Sequence, residues 1–271
     1  MKFAASAAQR AALVAELAPH LRPDENAGSG AQYPVVSLYY DNMDRDCYWE
    51  KARGVPSRRK LRVRVYGTRD GVVPATSFIE IKHKCEGRGV KRRVQLPLAQ
   101  ALRICEGHVP AGVPFSEADE RVLRETHDLV HRRGFRPVLV MRYDRTAYAS
   151  ADPESDLRVT FDSGVRMRFD NLSPEADDRR FDASCELDEA GEAVMEVKIT
   201  GCIPYWLSRT IAEAGCRMQS HSKYASALEQ NDPVLRAMLS PHWHTRVTGG
   251  PQSERPESPP VAAPATTPLT V

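Results

Sequence analysis

Nowhere in this chain does an apolar run approach the roughly 20 residues that a membrane-crossing helix needs. The opening stretch MKFAASAAQRAALVAEL has one lysine and no apolar core ahead of a small-residue cleavage site, so it is not expected to be a secretory leader. Six cysteines, at 47, 85, 105, 185, 202 and 216, form no CxxC pair and no Cys/His group at zinc spacing. Reduced thiols in a cytoplasmic protein are therefore the simplest expectation. GxSxG, Walker A and GxGxxG motifs are also missing, so a nucleotide would have to be bound by charged side chains. The eight histidines show no ligand spacing, and the HWH at 242–244 reads as a surface or docking segment. Finally, the formal net charge of +2 implies no general attraction to nucleic acid or to a membrane. A strong local field must come from how charges are placed.

What is present fits an α+β chain in which strands dominate. Its 271 residues are 41% hydrophobic and 27% charged, enough to build a sizeable core. Helical spacing from Ser6 to about Leu21 predicts a first helix, and a second is expected after Ser116, with Asp119 three residues on. YPVVSLYYDN (33–42), KLRVRVYG (60–67), SFIEIKHK (77–84) and VKRRVQLPL (90–98) read as strands, the last two joined by a CEGRG turn. PLAQALRICEG reads as a short helix and CYWEKARG as a connector. Further strands are expected in RPVLVMRYDRTAYAS, DLRVTFDSGVRMRF and AVMEVKITG, then helices in PYWLSRTIAEAG and KYASALEQ. One domain over 1–244 is followed by a Pro/Ser/Thr-rich tail, 245–271, without periodic apolar residues and expected to be disordered.

The strands share an oddity. In KLRVRVYG, Arg62 and Arg64 alternate with Leu61, Val63 and Val65. Glu80, Lys82 and Lys84 oppose Ile79 and Ile81; Arg158, Thr160 and Asp162 oppose Val159 and Phe161; Glu196 and Lys198 oppose Met195 and Val197. An open sheet with one solvated face shows the same period. The charged faces, however, are long residues with a basic excess, and amphipathic helices are available to cover the apolar side. A barrel with helices outside and charges inside accommodates both features. Its basic interior would focus a positive potential on a dense anion, and arginine forks suit phosphate oxygens. An interior carboxylate such as Glu196 or Glu80 would hold a divalent cation.

These segments carry a family resemblance. SLYYDN, KLRVRVYG, IEIKHK followed by GVKRRV, YDRTAY before LRVTFD, MEVKITG and SKYASAL, in that order, resemble the VTC domain. That is the polyphosphate-polymerase branch of the triphosphate tunnel metalloenzymes, with the CYTH cyclases and thiamine triphosphatases as more distant relatives. The similarity covers roughly residues 1 to 232. It implies an antiparallel β-barrel tunnel with helices packed outside. It also implies site residues: Lys2 as the first tunnel cation, Arg62 and Arg64 as the paired phosphate-holding arginines, and Lys82 and Lys91 on the next hairpin. Arg145 and Arg158 would be further phosphate-gripping arginines, Glu196 the metal ligand, and Lys223 the lysine at the tunnel end. One departure is that Lys2 directly follows Met1, where the family's first strand usually has several residues ahead of the lysine, often including a glutamate.

The activity implied by the resemblance is transfer of the ATP γ-phosphate to a polyphosphate chain, with manganese or magnesium as cofactor. ATP and inorganic polyphosphate are the expected partners, and oligomeric state is open. Two alternatives share the tunnel: a tripolyphosphatase or nucleoside triphosphatase using water as acceptor, and an inactive polyphosphate-binding module.

Overall fold

A computed structural model describes residues 1–24, 32–67, 76–108, 114–174, 192–219 and 222–240. The HWH segment, the boundary at 244 and the tail from 245 lie outside the described residues. In chain order the elements are β1 (Lys2–Ala5), α1 (Ala7–Leu17), β2 (Leu21–Pro23), β3 (Gln32–Asp41), α2 (Asp46–Ala52), β4 (Ser57–Tyr66), β5 (Thr76–Cys85) and β6 (Arg88–Pro97). Then come α3 (Leu98–Cys105), α4 (Glu117–His131), β7 (Arg136–Ser150), β8 (Arg158–Arg168), β9 (Ala193–Lys198), α5 (Tyr205–Glu213), β10 (Arg217–Met218), α6 (Lys223–Asn231) and α7 (Pro233–Leu239).

Local chemistry explains several boundaries. Ser6 caps α1 through a capping box with Gln9, and Ser116 caps α4 by accepting from the Asp119 N–H. The β5–β6 hairpin turns through Glu86 (φ 48°) and Gly87 (φ 82°), the positive pair of dihedrals that a two-residue loop needs to match strand twist. Helix α1 stops at Leu17, short of the Leu21 that its spacing predicts, because Leu21 enters β2 and pairs with Ser150 of β7. The CYWEKARG segment, expected as a connector, is helix α2.

The strands form one antiparallel sheet in the order β10-β1-β9-β8-β7-β3-β4-β5-β6, with β2 joined to β7. Among the described residues β10 and β6 do not pair, so the hydrogen-bonded sheet is open where the sequence predicts a closed barrel. It is nevertheless curled. Arg64 on β4 donates to the hydroxyl of Tyr143 on β7, across β3, and Arg158 on β8 reaches Tyr33 on β3, across β7.

The apolar side of the sheet is covered by helices. Leu61, Val63, Ile79 and Ile81 are fully buried in a large core shared with Cys105 of α3, Leu129 of α4, Leu228 of α6 and Leu235 of α7. A second core packs Phe3, Val159, Phe161, Met195 and Val197 against Leu13 and Leu17 of α1 and Leu207 and Ile211 of α5. The free cysteines include Cys47 and Cys105 in the interior and Cys85 and Cys202 at the surface. Among the described residues no helix is long and apolar enough to cross a membrane.

Candidate active site

The other side of the sheet carries the charged residues. Strand period puts Lys60, Arg62 and Arg64 of β4 on one face, and the register sets Arg62 opposite Glu80 of β5 and Lys60 opposite Lys82. Lys82 in turn faces Lys91 of β6. On the other half of the sheet Arg145 of β7 faces Asp162 of β8, and Thr160 of β8 faces Glu196 of β9, which faces Lys2 of β1.

Glu80 anchors the first cluster. Arg62 Nε donates to Glu80 Oε2 at 2.8 Å, Lys91 Nζ to Oε1 at 3.3 Å, and the Arg64 guanidinium stands 3.7 Å from Oε2. Burial alone would raise the carboxyl pKa, but Arg62, Arg64 and Lys91 together hold it far below the usual carboxylate range. The arginines also rest on neutral phenols and hydroxyls. Arg64 donates to Ser37 Oγ (3.1 Å), Tyr66 OH (3.3 Å) and Tyr143 OH (3.2 Å), and Arg62 donates to Tyr39 OH (3.2 Å). Phenols fix the guanidinium forks without neutralising them. In return the cations stabilise phenolate: burial would raise the Tyr39 pKa, yet Arg62 and Arg64 bring it down to about 8.

Asp162 anchors the second cluster. Arg145 makes a two-point fork to it, Nε to Oδ1 at 2.7 Å and Nη2 to Oδ2 at 2.9 Å. Lys223, the first residue of α6, closes the same carboxylate at 2.8 Å and so ties the helix across the charged face. Burial opposes ionisation of Asp162, and Lys223 and Arg145 outweigh it, holding the carboxyl well below its ordinary value. Arg158 pairs with the buried Asp24, 2.9 Å away.

The two halves approach each other. Burial lowers the pKa of Lys2, Glu196 opposes that, and the positive charges of Lys223 and Lys82 lower it further. Lys82 sits on β5, with β9, β8, β7, β3 and β4 lying between it and β1 in the sheet. Likewise Lys198 of β9, depressed first by burial, feels Lys91 of β6 near the far edge. The curl therefore brings Lys2, Arg62, Arg64, Glu80, Lys82, Lys91, Arg145, Arg158, Glu196 and Lys223 onto one concave, predominantly cationic trough. A hollow of about 290 Å³ beside His20 and Trp206 lies elsewhere.

Among the described residues no group of three or more His, Cys, Asp or Glu side chains forms a ready cation cage. The oxygen donors that exist differ in availability. Glu80 is 1% exposed and engaged by three cations. Glu196 is a quarter exposed, and its ion pair to Lys198 is long, 3.8 Å. Burial raises its pKa, while Lys198, Lys2 and Arg145 prevail and keep it ionised. Opposite it, Thr160 Oγ1 is buried with no hydrogen-bond partner among the described residues. A carboxylate beside an orphaned hydroxyl suits a hard divalent cation that takes its other ligands from phosphate and water.

Sequence reasoning missed the phenols. Tyr33, Ser37 and Tyr39 alternate along β3 in the phase that faces the arginines, and this signal stood in YPVVSLYY. It also left out Asp162 and Asp24 as anchors, and Lys60 and Ser222 altogether.

The description of the VTC domain matches residues 1–231. The chain belongs to the VTC domain family. Among solved structures, a candidate adenylate cyclase from Bacillus halodurans aligns at 12% identity and a TM-score of 0.46, covering 86% of this chain and 95% of that one. A second, from Vibrio parahaemolyticus, aligns at 10% identity and a TM-score of 0.39, covering 84% and 97%. A search of curated proteins finds no match. Membership thus rests on the VTC match, which spans every residue of the trough.

Proposed function

We propose that this chain is a metal-dependent polyphosphate polymerase that moves the γ-phosphoryl group of ATP onto a polyphosphate chain. One observation carries the reading: the two buried carboxylates of the trough, Glu80 and Asp162, are already shared among cations, and the positive charge left over needs a polyanion. Glu80 serves three cations and Asp162 two, so removing water from this face without a ligand would be costly. Linear phosphate is the anion whose charge density and repeating oxygens match forked arginines along a strand.

In this reading Arg62 and Arg64 grip the triphosphate, held in register by Glu80, Ser37, Tyr39, Tyr66 and Tyr143. Lys82 and Lys91 add charge from the β5–β6 hairpin, Arg145 and Lys223 from the Asp162 cluster, and Arg158 and Lys2 from the flanks. The bond from the γ-phosphorus to its bridging oxygen breaks, a bond to a terminal oxygen of the acceptor chain forms, and ADP leaves. Such a transfer needs positioning and charge neutralisation more than covalent help from protein groups. Glu196, with Thr160 beside it, is the group that would hold manganese or magnesium; Glu80 is assigned as the arginine anchor. The cation, when bound, neutralises charge on the transferred phosphoryl group.

Product analysis after incubation with ATP and manganese tests the reading. Chains of many phosphates together with ADP are the expected outcome. Orthophosphate alone would replace it with the triphosphatase alternative, and no turnover would leave a binding module.

A further inference from the structure

Lys60 stands on the trough face of β4, one alternation beyond Arg62, and its surroundings differ from those of the trough arginines, Lys91 and Lys223. Arg62, Arg64 and Lys91 have Glu80; Arg145 and Lys223 have Asp162; Arg158 has Asp24. Lys60 forms no ion pair among the described residues. Directly opposite it across the ladder is Lys82, a like charge at the spacing where like charges destabilise a sheet. Its ammonium donates to Ser222 Oγ at a long 3.4 Å and lies 5.0 Å above the Tyr224 ring. Burial lowers its pKa, Cys47, Tyr39 and Asp41 oppose that, and Lys82 adds to the lowering.

The donor count at this point is one-sided. An ammonium has three N–H bonds, and one is directed at Ser222. The Ser222 oxygen accepts from Lys60 and from the Ala225 N–H, so its own hydroxyl proton has no acceptor among the described residues. Lys60 and Ser222 thus keep unused donors among the described residues, with the exposed Lys82 opposite them in the ladder and no carboxylate paired to Lys60. Such an arrangement is stable when an anion completes it.

We propose that Lys60, with Lys82 and Ser222, forms a further phosphoryl subsite, about 7 Å along β4 from Arg62, that recognises the length of a linear polyphosphate. This rests on the trough being the phosphate site. A pyrophosphate held by Arg62 and Arg64 falls short of the subsite; a tripolyphosphate reaches it.

Calorimetric titration of tripolyphosphate and pyrophosphate, without added metal, into wild type and Lys60→Met tests the proposal. Lys60→Met is expected to weaken tripolyphosphate about tenfold or more, the scale of a lost charged hydrogen bond, and to leave pyrophosphate nearly unchanged. Lys60→Arg should retain most of the tripolyphosphate affinity. The unliganded Lys60→Met protein should melt no lower than wild type, since the change removes a desolvated charge facing another lysine. Lys84→Met, taking one charge from the hairpin end of β5, is the control for the general field and should affect both anions alike and slightly. Equal losses for the two anions in Lys60→Met, or none, overturn the proposal. Lys60→Gln repeats the comparison should the methionine variant not fold. Arg64→Ala separates the two levels: if it too leaves both anions untouched, the trough reading itself fails, whereas an Arg64 effect beside a silent Lys60 sinks the subsite alone.

Discussion

At the scale of single residues, two carboxylates organise the face. Glu80 is almost wholly buried and bound to three cations, so Glu80→Gln leaves Arg62 and Arg64 side by side without a counter-charge. Breaking a buried ion cluster from one side costs about 3–5 kcal/mol, and the denaturant midpoint of Glu80→Gln should fall accordingly. The pH dependence has a definite sign. Burial opposes ionisation of Glu80 and Asp162, but their cations hold both carboxyls below the unfolded values. Their contribution is therefore fully present above the ordinary carboxylate range, about pH 4, and is lost as pH falls further and the folded carboxyls titrate. Wild-type stability should decline through that acid window. In Glu80→Gln the decline should be shallower, and an equally steep one would show that Glu80 is not held by its arginines.

At the scale of elements, α6 and α7 fix the site from outside the sheet. Tyr224 of α6 donates to Asp41 Oδ2 at 2.6 Å, and Lys223 reaches Asp162. Asp232 sits between the two helices: it caps α7 through the Val234 and Leu235 N–H groups and takes a two-point contact from Arg45. Asp232→Ala should lower unfolding free energy by about 3–5 kcal/mol, because it strands a buried guanidinium and removes a helix cap together. A loss under about 1 kcal/mol in denaturant titration would mean that α7 holds without it. The same elements mark the limits of reading a sequence. Asp232 followed by Pro233 is a strong helix-start signal in the sequence, a capping acid with proline at the first helical position. Helix α2 has no cap at the usual position, since its N-cap is left-handed Arg45; its first N–H groups are taken instead by the upstream Asn42 and Asp41 side chains. Long strands such as β7 were legible because alternation persists over many residues. The two-residue β10 and three-residue β2 exist through their partners and have no period of their own.

At the scale of the whole molecule, the inside and outside of the sheet were readable from period alone. Leu61, Val63, Ile81 and Val197 lie in the cores, while Arg62, Arg64, Lys82 and Glu196 share the opposite face. What period could not supply was closure. Whether β6 and β10 meet depends on accumulated twist, and the described ladder ends at both strands. Nor could it supply the pairing of charges, because a carboxylate's partners are set by register across strands far apart in sequence. Glu80 was therefore expected as a metal ligand without these partners, and the sheet sets it among Arg62, Arg64 and Lys91. The central claim is that this face grips a polyanion through its arginines, with Glu196 reserved for a cation. Tripolyphosphate affinity, measured by calorimetry for wild type, Arg62→Ala and Glu196→Gln, tests it most directly. Arg62→Ala should lose roughly 2–5 kcal/mol of binding, the scale for truncating one member of a buried charge pair, while Glu196→Gln binds as tightly as wild type or tighter. Undiminished binding by Arg62→Ala would contradict the account.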